Sequence, residues 1–332
     1  YYSKEITFDG QLGKIYNNAQ LMGKIDLPTN IPTSFRFIAS ISTFDYYKKD
    51  KLFSRNDKPS FNSKDERFVK LMVALPFLAN KRAEFSLGYG QLEDNYFQSS
   101  VIDFDKDRSD RSTYKLLGGS IGFYGSTLNT RQYATKGYLE KLIAQVFTGR
   151  ERFEPGNPQE GYSPSPQERQ SWLQISYMKE AYHTMGPKFT LGWMAEALYS
   201  SKNFSENYTA TMMQAGEFAP TPHSKLMYNE AFRANQYVAA GIKPIYVLND
   251  MFQFRTEFYG FTPIFPIKKN ALNKAYYGKA FSRFEYMGEV SVICHLPFGA
   301  ISAYVNHYSS PRREWNVGMT IGWQLFNYRF VE

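Results

Sequence analysis

Residues 315–325 read Trp-Asn-Val-Gly-Met-Thr-Ile-Gly-Trp-Gln-Leu. Trp315, Val317, Met319, Ile321, Trp323 and Leu325 occupy alternate positions, and Asn316, Gly318, Thr320, Gly322 and Gln324 fill the places between. Successive side chains of a strand point to opposite faces, so this stretch is a strand with one apolar face and one small or polar face. The same period recurs along the chain. Phe252, Phe254, Thr256 and Phe258 alternate with Gln253, Arg255, Glu257 and Tyr259; Val69, Leu71, Val73, Leu75 and Phe77 alternate with Phe68, Lys70, Met72 and Ala74. Helical spacing is almost absent.

Fourteen strands are expected, near 4–13, 19–27, 33–47, 66–79, 81–97, 112–127, 137–148, 169–183, 186–200, 236–248, 250–262, 278–296, 299–309 and 313–326. Many exceed ten residues, whereas strands of soluble domains usually have about 5 to 6. From the second strand onward the connections alternate short and long. Only the last hairpin, at 310–312, is short where a long one is due. Tilted, membrane-spanning antiparallel strands with tight turns at one end and long loops at the other have this pattern. A soluble sandwich has no reason to sort its loops by parity. The expected fold is therefore all-β, a transmembrane antiparallel β-barrel over residues 1–332.

Composition agrees with this once it is sorted by face. The chain has 332 residues, 43% hydrophobic and 21% charged, with 28 Phe and 26 Tyr. Its mean hydropathy is −0.47. The aromatic load suits the lipid-facing band and its interface girdles. The longest apolar run, 71–79, contains Pro76 and is far too short for a membrane helix, which needs about 20 residues. The chain opens Tyr-Tyr-Ser-Lys-Glu, with neither a Met nor a signal-peptide pattern, so Tyr1 is not expected to be the true start. One Cys excludes a disulfide framework, and four scattered His leave little for a metal; no metal site and no cofactor are expected.

Motifs for catalysis are weak. Gly118-Gly119-Ser120-Ile121-Gly122 matches the nucleophile elbow formally, but it lies inside an alternating strand rather than between a strand and a helix. Asp9 is likewise inside the first strand. His183, His223, His295 and His307 are spread over separate segments, and no catalytic residue is assigned. The net charge of +8 suits anionic surfaces, and Lys and Arg near the outer rim would meet lipopolysaccharide phosphates. No interleaved basic and aromatic groove suggests nucleic acid.

The most informative segment is the longest connection, 201–235. It carries Met212-Met213, Phe218, Pro220-Thr221-Pro222, Met227 and Phe232-Arg233, too apolar for a free surface loop. It is expected to fold into the lumen. Arg233 would then be buried and need a carboxylate, with Glu257 as the candidate partner.

These residues resemble the barrels of the bacterial surface-antigen superfamily, which includes BamA, TamA and the two-partner secretion translocators. Such barrels have sixteen strands, and a long inward loop before the last five carries a tip of Val or Ile, Arg, Gly and Phe or Tyr. Here Phe232-Arg233-Ala234-Asn235-Gln236-Tyr237 stands at that place, with five strands after it and nine before. The resemblance implies a tip Arg233 locked to an acidic residue, here Glu257, with Phe232 and Tyr237 beside it. Ala234 replaces the family Gly, and Glu257 stands for the family's Asp. Within the superfamily the chain looks closest to the C-terminal barrel of bacterial patatin-like phospholipases. The stretches that carry this are 129–137, Pro220-Thr221-Pro222-His223-Ser224, 277–281, Leu296-Pro297-Phe298-Gly299 and 322–327.

The implied function is an integral outer-membrane anchor and translocator for a lipolytic passenger domain preceding Tyr1. The Ser-Asp dyad of such a passenger is not in this chain. The alternative is a BamA-like factor that inserts other barrels; a passive pore and a membrane-embedded enzyme rank lower. Gly318 and Gly322 would bend or weaken the last strand near the seam. Expected partners are outer-membrane lipids, lipopolysaccharide and the N-terminal passenger or periplasmic domain, with a homodimer left open.

Overall fold

A computed structural model describes residues 3–46, 61–98, 106–157, 168–297, 299–310, 315–322 and 328–331. Parts of the sequence-based reading lie outside these residues, namely Trp323 to Asn327, Phe298 and the tip of the last hairpin.

In chain order the strands are β1 (Ser3–Gln11), β2 (Tyr16–Leu27), β3 (Thr33–Tyr46), β4 (Asn62–Leu78), β5 (Lys81–Tyr96), β6 (Asp110–Ser126), β7 (Gly137–Glu154), β8 (Glu168–Thr184) and β9 (Phe189–Ser200). The helix α1 (Tyr208–Gln214) follows, then the two-residue strands β10 (Gly216–Glu217) and β11 (Arg233–Ala234). Then come β12 (Gln236–Val247), β13 (Phe252–Pro263), the short β14 (Ile267–Lys269) and β15 (Ala275–Tyr277), β16 (Glu285–Leu296), β17 (Gly299–Tyr308) and β18 (Trp315–Ile321). Fourteen of these form one antiparallel meander, β1-β2-β3-β4-β5-β6-β7-β8-β9-β12-β13-β16-β17-β18, and β10-β11 and β14-β15 are separate hairpins. β1 and β18 end the hydrogen-bonded order.

The fourteen expected strands are these fourteen. The largest boundary difference is at β16, which begins at Glu285 rather than near 278. Residues 264–284 instead form a loop holding the β14–β15 hairpin, since its Asn270 side chain accepts from Leu272 N and Lys274 N at 2.9 Å each and closes a turn. No helix among the described residues is long and apolar enough to cross a membrane.

Parity decides what faces outward. Trp315 and Val317 are 71% and 79% exposed, and Phe252, Phe254 and Phe258 are exposed, while Gln253, Arg255, Glu257 and Tyr259 between them are buried. Lys70 is 5% exposed between exposed Val69 and Leu71. The apolar set is thus the outer face. The inner face, however, is not uniformly polar. Phe68, Met72, Leu92, Tyr114, Leu116, Phe147 and Trp172 form an interior cluster with Phe330. Aromatics expected to face lipid therefore divide between lipid and an interior that is packed rather than aqueous.

Candidate functional site: the interior plug

Three segments fill the interior. The first is the connection 201–235. Its helix α1 starts at Asn207, whose side chain accepts from Ala210 N at 2.9 Å and donates to Tyr96 Oη on the wall at 2.7 Å. Ala210, Thr211, Met212 and Met213 are buried. This confirms that the apolar content of the loop is there to pack inward.

The loop tip is the β10–β11 hairpin, where Glu217 lies opposite Arg233 and Gly216 opposite Ala234. Arg233 is buried, its Nη2 is 2.7 Å from Glu217 Oε1, and its Nη1 donates to Met213 O at 3.2 Å. The guanidinium carbon is 4.7 Å from the centre of the Tyr228 ring. Burial pulls Arg233 toward neutrality, but the Glu217 carboxylate outweighs it, and the guanidinium is held more firmly charged than usual. A Cβ on Gly216 would overlap the end of the Leu198 side chain, which would have to turn away. Phe232 packs edge-on against Tyr308 and beside Phe261. Tyr237 packs on Phe261 and donates from Oη to Glu196 Oε1 at 2.5 Å.

The expected partner of Arg233 was wrong in one respect. Glu257 is buried, but its Oε1 accepts from Arg255 Nε at 2.9 Å and its Oε2 from Tyr259 Oη at 2.7 Å. Glu257 therefore already has a cation two residues away on its own strand face, and Arg233 takes a carboxylate from its own loop. Sequence reasoning missed Glu217 because a two-residue hairpin leaves no periodicity to read. Arg255 stands two residues before Glu257, the spacing that puts both on one face of the strand.

The second inward segment, 129–137, comes from the tight-turn end between β6 and β7. It was expected only as a connection of intermediate length. Tyr133, in the left-handed region at φ 58, and Ala134 are buried. Arg255 Nη1 donates to Ala134 O at 3.0 Å and Gln253 Nε2 to Tyr133 O at 3.2 Å, so the inner face of β13 holds this segment.

The third is 328–331. The Phe330 ring lies beside Gly88, Gly90 and Gly118, where a Cβ at Gly90 would come within 2.9 Å of it. Lys70 Nζ donates to Arg329 O at 3.0 Å. The Gly-rich stretch of β6 is thus part of a socket for an aromatic ring. Ser120 faces Ser86 Oγ at 2.6 Å in a regular ladder, with no nucleophile elbow.

His223, set aside on sequence grounds, proves central. Its Nδ1 is 2.8 Å from Glu289 Oε1 and its Nε2 3.0 Å from Ser302 Oγ. Glu289 orients the ring with its proton on Nδ1, so Nε2 accepts from Ser302. Ser302 Oγ is also 3.0 Å from Tyr133 Oη and 2.6 Å from Thr320 Oγ1. The order Ser, His, Glu is that of a hydrolytic triad, but every hydrogen-bonding position of the hydroxyl is taken and Ser302 is fully buried. The group is an anchor: it ties the inward loop to β16, β17 and β18.

The two glycines of the last strand differ. Gly322, at φ +100, directly follows β18 and bends the backbone there. Gly318 sits in the regular ladder opposite Tyr304, whose hydroxyl fills the space of a Cβ. Bending at Gly318 is therefore not observed; the residue makes room for Tyr304, which stacks on His223 with ring centres 3.6 Å apart. Among the described residues no group of three His, Cys, Asp or Glu could hold a metal.

A fourteen-stranded antiparallel wall with an apolar outer face, loops sorted by length and a plugged interior defines the outer-membrane β-barrel fold. The BamA barrel of Haemophilus ducreyi, solved without POTRA domains 1–3, superposes on 95% of this chain with a TM-score of 0.60 at 11% identity. The chain spans 63% of the length of that structure. CdiB from Acinetobacter baumannii (TM-score 0.39, 9% identity, 96% of this chain and 58% of that one) and the NalP translocator domain from Neisseria meningitidis (0.33, 8%, 88% and 86%) are looser likenesses. No family model matches the sequence, and no curated protein matches it.

Proposed function

We propose that this chain is the membrane domain of an outer-membrane translocator, which anchors a passenger domain attached before Tyr1 and guides its placement. The finer form of the reading, suggested by the sequence stretches above, is a patatin-like lipolytic passenger. One observation carries the proposal. The long loop meets the wall through separate side chains, Asn207 on Tyr96, Thr221 and His223 on Glu289 and Ser302, and Phe232 on Phe261 and Tyr308, while its Arg233–Glu217 pair closes the loop tip on itself. A plug docked through discrete contacts can undock as a unit, which a translocator requires and a permanent seal does not.

The test uses the complete gene with an epitope tag ahead of Tyr1, expressed in a Gram-negative host. Tag exposure to external protease on intact cells supports translocation. A tag that stays protected while the barrel is inserted overturns it. The likeness to the BamA barrel favours the second reading, an assembly factor for other barrels; depletion of the protein would then lower the levels of unrelated outer-membrane barrels.

A further inference from the structure

The connection between β13 and β16, residues 264–284, packs on the plug by one side only. It contains Lys268, Lys269, Lys274, Lys279 and Arg283 and no Asp or Glu. Its hairpin is fastened to the inward loop by one side: Ile267 is buried with Met212 and Ala215, and Tyr277 packs on Phe204. The other side is left outward. Lys268 lies opposite Tyr276 in the β14–β15 ladder, and its aliphatic stem runs beside Gly278, the chain neighbour of Lys279. Two of the five cations are neutralised locally, Lys274 by Glu206 at 2.6 Å and Arg283 by Glu285 at 2.7 Å. Lys268, Lys269 and Lys279 are exposed and have no ion-pair partner among the described residues.

The same connection and the start of the strand after it also carry exposed aromatics. Phe281 projects at 63% exposure from a left-handed backbone position, φ 52, fixed by its N–H on Ile264 O at 2.8 Å. Phe284, just before β16, and Tyr286, on the outward face of β16, follow at the long-loop rim, where an aromatic girdle belongs. Girdle aromatics sit at the headgroup level of a bilayer, and cations just beyond them meet lipid phosphates. An exposed Phe that costs backbone strain is explained by insertion among acyl chains or headgroups and by nothing inside the protein.

We infer that residues 264–284 are a docking surface for the phosphate groups of an anionic outer-leaflet glycolipid, with Lys268, Lys269 and Lys279 as the phosphate contacts and Phe281 and Phe284 as the apolar anchors. The inference rests on the outer-membrane barrel reading and adds a specific lipid site to it.

The experiment compares three forms of the refolded full chain: wild type, K268Q/K269Q/K279Q, and a control, R131Q/K136Q/K188Q, at the tight-turn end. Each is titrated with bisphosphorylated lipid A, its dephosphorylated form and inorganic phosphate, and bound lipid is read by native mass spectrometry and melting temperature. Wild type and control are expected to bind lipid A and gain stability, with affinity falling as salt is raised. The loop variant is expected to bind on the order of tenfold or more weakly. Equal binding by the loop variant overturns the site, and so does equal binding of the dephosphorylated lipid. A full effect of inorganic phosphate alone would make the site a free-anion site and overturn lipid docking. Insertion into liposomes is scored separately: failure to insert overturns the barrel reading, whereas insertion without lipid A preference overturns only this inference.

Discussion

Tyr133 and His223 approach each other at one hydroxyl: Tyr133 Oη is 3.0 Å from Ser302 Oγ, and His223 Nε2 is 3.0 Å from the same atom. Tyr133 enters the interior from the tight-turn end and His223 from the long-loop end. Their meeting point couples the two segments to one position on β17. Removing His223 strands the Glu289 carboxylate, which is buried and otherwise reached by Thr221 Oγ1 at 3.0 Å and, more distantly, by Asn306 Nδ2 at 3.5 Å. His223→Ala is expected to cost about 3 kcal/mol or more. Tyr133→Phe loses one neutral hydrogen bond and is expected to cost about 1 kcal/mol. Thermal unfolding in detergent, followed by the heat-dependent gel shift of the barrel, checks both. A cost for His223→Ala no larger than for Tyr133→Phe refutes the anchor.

The choice of Glu217 over Glu257 as the partner of Arg233 gives a sharper experiment. Breaking a buried pair from one side costs about 3–5 kcal/mol. Arg233→Ala and Glu217→Ala should each fall in that range, and their double variant should cost far less than the sum. Arg233→Ala with Glu257→Ala should be close to additive, because the second carboxylate belongs to Arg255 and Tyr259. The measured coupling energies decide between the two partners directly.

The wall of this protein was legible because it depends on a period of two, and residues such as Trp315, Val317, Met319 and Ile321 announce their face by position alone. The inward course of 201–235 was legible too, since Met212, Met213 and Phe232 cannot be left in water over that length. What was not legible was the pairing inside. Arg233 with Glu217, and His223 with Glu289 and Ser302, join residues whose registers are set by loop geometry, which has no repeat. Nor does anything near Gly88, Gly90 and Gly118 announce the ring they receive, because Phe330 lies more than 200 positions further along.

That socket predicts its own phenotype. Phe330 is buried among Phe68, Phe147 and Trp172, so Phe330→Ala should cost about 3–5 kcal/mol in lost contacts and cavity. Gly90→Val should expel the ring without touching its chemistry, since even a Cβ there would approach it to 2.9 Å. The expected readout is faster digestion by carboxypeptidase in Gly90→Val than in wild type, with strand content unchanged by circular dichroism. Equal digestion would mean that the segment is not held there.

Lys202 supplies a pH dependence. It sits on the inward loop, fully enclosed, with Nζ 4.5 Å from the Tyr114 ring centre and donating to Gln214 Oε1 at 3.1 Å. Burial pushes its ammonium down to about 8, despite the nearby carboxylates of Glu151 and Asp94. The unfolded chain keeps the ordinary value of 10.5. Between pH 8 and 10.5 the unfolded state binds more protons, so stability rises with pH across that window. Below pH 8 the full cost of burying the charge, about 3 kcal/mol, is present. Lys202→Met is therefore expected to be more stabilising, relative to wild type, at pH 7 than at pH 10. A difference in melting temperature that does not change over that range would show that Lys202 is not buried in its charged form.

The filled interior also distinguishes this barrel from an open pore. The helix α1, the β10–β11 hairpin, Tyr133 and Phe330 all occupy space that a porin would leave to water, and their contacts include buried aromatic rings as well as ion pairs. Wild-type protein in planar bilayers is expected to conduct poorly. Replacing residues 218–231 by a short Gly-Ser link removes His223 and much of the loop's packing, yet leaves Glu217 and Arg233 able to pair. Conductance should rise sharply in this variant, while His223→Ala, which frees the loop from Glu289 and Ser302, should give brief openings through a plug that undocks and returns. Large, steady conductance in the wild type would show that the interior is not sealed, and unchanged conductance after the deletion would place the seal in the 129–137 and 328–331 segments instead.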